Sequence, residues 1–155
     1  MAVLEQLNKL SEDRFLAIYT SLGKQGFGPL DGEVAKALKF RPQAIKKLPM
    51  ERRAKKARSL IEVQHNAELC YELFGTYLVQ THKDLVTGFL DATGVEHEDG
   101  MIQNIDTASP ESEKIAAAVV DLDKRHDPED VTLYLALAAE QWPEVEKLVE
   151  TWKSR

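Results

Sequence analysis

The sequence predicts an all-α protein, a compact bundle of about seven to nine helices with one long central helix over about 50–80. Three observations carry that expectation. Five of the six prolines, Pro42, Pro49, Pro110, Pro128 and Pro143, stand where helices would begin. Proline at the first helical position gives up no hydrogen bond, and an acid beside it favours the positive end of the helix dipole. Between these starts the apolar residues recur at spacings of three and four, and no segment alternates with period two.

Taken in order, Val3, Leu4, Leu7 and Leu10 mark a first helix, and Phe15, Leu16, Tyr19 and Leu22 a second. GKQGFGPLDG at 23–32 reads as an irregular loop. A short helix over 31–39, a break at Phe40 and Arg41, and a second short helix over 42–48 follow. The long helix should then start near Pro49, with Leu60, Val63, Ala67, Cys70, Phe74 and Tyr77 on its buried side. The same spacing carried backwards meets Lys56 and Arg53, so the first two turns are expected to leave the core with their charges in water. THKD at 81–84 has a capping-box pattern. A second irregular region is expected over about 93–108. SPE at 109–111, DPED at 127–130 and WPE at 142–144 mark the last three starts, with Ser109 and Asp127 as caps.

A chain of 155 residues and 17.5 kDa, 43% hydrophobic and 30% charged, has the size and usage of one folded domain spanning 1–155. Its most apolar run, VTLYLALAA at 131–139, is far shorter than the roughly 20 residues a membrane-spanning helix needs. MAVLEQLNKL lacks the features of a secretion signal, so a soluble cytoplasmic protein is expected. The lone cysteine, Cys70, excludes an intrachain disulfide.

Charge is distributed unevenly. Residues 36–58, KALKFRPQAIKKLPMERRAKKAR, hold ten lysines and arginines and one acid, Glu51, in a chain whose formal net charge is −6. That stretch carries +9, whereas residues 59–155 carry −13. The basic face around 39–58, comprising Arg41, Gln43, Lys46, Lys47, Arg52, Arg53, Lys55, Lys56 and Arg58, is therefore the candidate site for an anionic partner. An acidic protein surface, a second copy of the chain included, would meet it by charge complementarity. Nucleic acid is the alternative. The helices over 31–48 have the order of a helix-turn-helix, in which Gln43 suits an adenine edge and the lysines and arginines suit guanine or phosphate.

Candidate chemistry elsewhere is sparse. Glu62 with His65 and Asp123 with His126 have the carboxylate-x-x-His spacing found in di-iron bundles, but no bridging glutamates are identifiable. The loop 94–106 resembles a calcium loop in Asp99, Gly100 and Ile102 but lacks its first acid. A turn closed by Gly100, with Met101, Ile102 and Ile105 packed on the core, is expected instead. His97, Glu98 and Asp99 form a secondary candidate surface. Cys70 and the face shared by Trp142, Val145, Val149 and Trp152 read as packing, and no glycine-rich phosphate loop is present. The reading is a non-enzymatic binding or adaptor protein without metal or cofactor. The rival is a metal-binding bundle on Glu62, His65, Asp123 and His126.

Overall fold

The structure, a computed structural model, describes residues 2–23, 47–102, 104 and 108–152. Among these the chain is all-α, with eight helices and no strand. They are α1 (Ala2–Lys9), α2 (Glu12–Gly23), α3 (Met50–Gln64), α4 (Ala67–Thr81), α5 (Lys83–Thr93), α6 (Ser112–Arg125), α7 (Pro128–Gln141) and α8 (Pro143–Trp152). None of them is long and apolar enough to cross a membrane. The chain divides into two compact units, centred on Val3–Tyr77 and Leu78–Arg155, with the boundary inside α4.

In the first unit α2 packs on α3. Val3 and Leu7 from α1, Phe15, Ile18, Tyr19 and Leu22 from α2, and Ala54, Ala57 and Ile61 from α3 are buried. Phe15 and Tyr19 stack along one side of α2, one turn apart. Cys70 is fully buried, its thiol 3.8 Å from the Val3 carbonyl, in line with the packing role its place on the apolar stripe predicts.

The predicted long helix is two helices. α3 ends where His65 adopts the left-handed conformation, φ 49° and ψ 41°, and the Asn66 N–H returns to the Ile61 carbonyl at 3.1 Å, a Schellman-type termination. Asn66 then opens α4, its Oδ1 accepting from the Leu69 N–H at 3.0 Å. The break shifts the helical phase. α3 buries Arg53, Ala54, Ala57 and Ile61, and α4 buries Leu69, Cys70, Leu73, Phe74 and Tyr77, while Val63, expected inside, is 76% exposed.

In the second unit α5 packs on α6, α6 on α7, and α7 on α8. Phe89 meets Tyr134 edge to face at 5.1 Å. Asp127 caps α7 as expected, accepting from the Glu129 N–H at 2.9 Å, with Pro128 at the first helical position. Pro143 likewise opens α8. Trp142, just before it, is buried and donates from Nε1 to the Ala108 carbonyl at 3.0 Å.

Two expected starts are displaced. α6 begins at Ser112 rather than at Ser109–Pro110, because the Glu111 N–H bonds the Thr93 carbonyl at 2.9 Å and Glu111 itself is extended, φ −73° and ψ 117°. α5 begins at Lys83 behind His82, and Thr81 remains in α4, so the THKD capping box does not form. The residues 24–46, which hold Pro42 and most of the expected helix-turn-helix, lie outside the described residues. So do the side chains of Val149 and Trp152.

Candidate functional site

The basic segment enters the described structure at Lys47, in the turn that precedes α3. Arg41, Gln43 and Lys46 lie outside the described residues. Pro49 occupies the cap position and the Arg53 N–H closes the first turn on its carbonyl at 3.0 Å. From there the helix sorts its five cations by phase. Ala54, Ala57 and Ile61 face inward, so Arg53 and Arg58, which flank them, are drawn in with them, while Arg52 and Lys55 point to solvent and Lys56 is half-buried.

Arg53 and Arg58 correct the expectation that this stretch is a uniformly solvated basic face. Arg53 is 6% exposed. Its guanidinium lies 5.7 Å from the centre of the Tyr19 ring, and Nη1 points at the Met50 sulfur at 3.6 Å. A guanidinium is weakly hydrated and stacks on aromatic faces, which makes its burial tolerable where a lysine's would not be.

Arg58 reaches across to the end of α1. Nη2 donates to the carbonyls of Leu7 and Leu10 at 2.9 and 2.8 Å, Nη1 to that of Ser11 at 3.4 Å, and Nε to the Glu62 carboxylate at 3.0 Å. The same group lies 5.5 Å from the centre of the Phe15 ring. The last carbonyls of a helix have no partner of their own and carry its negative end. Arg58 satisfies them with a forked cation, so its role in the described structure is to hold the end of α1.

Four cations remain on the outside: Lys47, Arg52, Lys55 and Lys56. None makes an ion pair with a described residue. Lys55 borders a groove of about 380 Å³ between α2 and α3, with Phe15 and Leu16 in its walls. Glu12, Asp13, Glu51 and Glu62 line the same groove. Among the described residues the exposed basic surface is thus narrower than its sequence and has acids along one flank.

The ligand pairs of the rival reading lie in different units, Glu62 and His65 in the first and Asp123 and His126 in the second. The Glu62 carboxylate is held by Arg58, and His65 is exposed at the left-handed end of α3. His126 ends α6, its N–H bonding the Leu122 carbonyl. Among the described residues no three His, Cys, Asp or Glu side chains gather in a metal-holding group.

The loop after α5 folds into a tight turn. Gly94 ends that helix at φ 77°, and a two-residue hairpin follows in which Glu98 and Met101 exchange backbone hydrogen bonds of 2.8 and 2.9 Å. The central residues, Asp99 and Gly100, have φ of 55° and 90°, the positive values that a mirror-image turn requires and that Asp-Gly supplies. The turn at Gly100 is where it was expected. Met101 is not: it is 68% exposed rather than packed on the core, and Ile105 lies outside the described residues.

His97 is mostly buried beneath this turn, its side chain 11% exposed. Nε2 lies 2.6 Å from Asp91 Oδ1, and Nδ1 accepts the Gly100 N–H at 3.0 Å. Both ring nitrogens are occupied, which leaves neither free as a general base toward a substrate. The cavity alongside, about 780 Å³, is lined by Asp91, Glu96, His97, Glu98 and Asn104 among others. At its edge Glu111 pairs with Lys114, and that hydrogen bond, with the charge of Glu111, raises the lysine's pKa. No signal in the sequence beyond Asp-Gly at 99–100 points to the seating of His97, because its partner Asp91 belongs to a helix it merely follows. No family model, curated protein or solved structure matches the chain.

Proposed function

We propose that the protein is a non-enzymatic helical binding or adaptor protein that uses the outer face of the α3 start to contact an acidic protein surface, a second copy of itself being one such surface. The observation that carries this reading is the sorting of charges on α3. Lys47, Arg52, Lys55 and Lys56 reach the surface without ion pairs to described residues, and free cations of one sign steer and orient a complementary partner.

The flanking acids favour protein over nucleic acid. A nucleic-acid backbone presents unbroken negative charge, and Glu12, Asp13, Glu51 and Glu62 beside Lys55 would oppose it. A protein surface can match a mixed pattern, cation to acid and acid to cation. The chain itself offers such a surface, since residues 59–155 carry −13.

The test replaces Lys47, Arg52, Lys55 and Lys56 with glutamine together. Sedimentation of the native protein should show salt-sensitive self-association, or fluorescence anisotropy should show salt-sensitive binding to an acidic polypeptide such as poly-glutamate. The variant should lose that interaction while keeping its helical circular dichroism. A variant that keeps every interaction of the native protein defeats the reading. Binding of duplex DNA with log K falling against log salt at a slope of about −4, as four neutralised phosphates imply, would move the assignment to nucleic acid.

A further inference from the structure

We infer that His97 is a proton-operated latch: as a neutral imidazole it holds the hairpin at 98–101 closed, and on taking up a proton it lets the hairpin go. The hydrogen-bond pattern fixes the tautomer. The Gly100 N–H donates to Nδ1 at 3.0 Å, so Nδ1 carries a lone pair and the ring proton sits on Nε2, where Asp91 Oδ1 accepts it at 2.6 Å. In this state both nitrogens and the Gly100 amide are satisfied.

Protonation changes one side of that arrangement and not the other. The Nε2–H bond to Asp91 becomes charge-assisted and persists. Nδ1 gains a hydrogen that faces the Gly100 N–H, donor against donor, and the amide loses its acceptor. Histidine is the side chain whose charge ordinarily changes nearest neutrality, which suits it to such a device. The closed state belongs to the higher pH and is lost as the pH falls.

The hairpin is built to respond. Its own closure is two backbone bonds between Glu98 and Met101 around a turn with both central φ angles positive, and a two-residue hairpin is at best marginal alone. Of the charged groups on the elements around the ring, Asp91 of α5 is bonded to it, Glu96 and Glu98 of the loop line the same cavity, Asp99 follows in the turn, and Glu111 lies beside Gly94. Asp99 is engaged by Lys83 and Glu111 by Lys114, and Asp91 is the carboxylate bonded to the ring. The imidazolium therefore keeps a partner within reach, and what it forfeits is the hold on Gly100. Since His97 and Glu98 line the 780 Å³ cavity, release of the hairpin reshapes that cavity's wall.

The experiment is nuclear magnetic resonance on the ¹⁵N-labelled full chain. At pH 8 the His97 ring should show the Nε2–H tautomer. Between pH 8 and 5 the Gly100 amide proton should shift upfield along the His97 titration curve. Its exchange, corrected for intrinsic pH dependence, should accelerate by about three- to tenfold, as loss of one neutral hydrogen bond implies. In His97→Gln the Gly100 amide should lose this pH response. If that variant does not fold, the native titration decides alone. A ring protonated on Nδ1 at pH 8, or a Gly100 amide that stays unmoved while His97 titrates, overturns the inference.

Discussion

Helices α3 and α7 have nearly equal lengths, 15 and 14 residues, and are held by different physics. α7 buries nine of its residues, Asp130, Val131 and the run 133–139, eight of them apolar, and its place follows chiefly from apolar burial. α3 buries only Arg53, Ala54, Ala57 and Ile61. What it lacks in apolar area it replaces with two guanidinium groups, one lying against Tyr19 and one closing the end of α1. The lesson is that a charge run is not one feature. Neighbouring arginines on a helix can belong to the core and to the surface according to phase.

The comparison is broken most sharply in α7. Leu133→Ala removes a side chain that is 1% exposed and should cost about 2–5 kcal/mol, the transfer of the lost methyl and methylene groups plus the cavity they leave. The urea midpoint of the purified variant measures it. A cost below about 1 kcal/mol would show that α7 is not anchored by burial.

Arg58 is the corresponding test of α3. Arg58→Ala removes the side-chain donor from the carbonyl of Leu10 and leaves that of Leu7 with only the longer bond from the Leu10 N–H at 3.2 Å, and should cost about 1–3 kcal/mol, since part-buried groups that lose a partner keep their desolvation penalty. Arg58→Lys should recover less than half of that, because an ammonium lacks the planar fork that reaches several acceptors at once. Full recovery by lysine would mean that charge alone, acting on the end of the helix dipole, explains the residue.

The smallest effect is expected on the outer face. Replacing Arg52, Lys55 and Lys56 by glutamine should change the urea midpoint by an amount equivalent to less than about 1 kcal/mol in total, as exposed charges contribute little. A loss as large as that of Arg58→Ala would place these residues in the fold rather than on a binding surface.

How much of this was legible depends on the range over which each residue acts. Asp127 and Pro128 were readable because a cap and its helix lie within three residues of each other. The Asp-Gly turn at 99–100 was readable for the same reason. The break at His65 and Asn66 hid inside an apolar spacing that suited one continuous helix, although Asn66 two residues before Glu68 is itself a local start signal. The positions of Arg53 and Arg58 were not readable. Arg58 and its acceptors in and just beyond α1, Leu7 and Leu10, are 51 and 48 residues apart, and nothing near Arg58 in the chain distinguishes it from Lys55.

The sequence by itself therefore determined the all-α class, the helix starts at Pro49, Pro128 and Pro143, the burial of Cys70 and Trp142, and the polarised charge, since each rests on periodicity, local capping or composition. Only the tertiary structure decided which basic residues of α3 are free and how His97 is seated. Those outcomes turn on helix phase and on acceptors brought close by packing, and local sequence carries no record of a distant carbonyl until folding places it within hydrogen-bond reach.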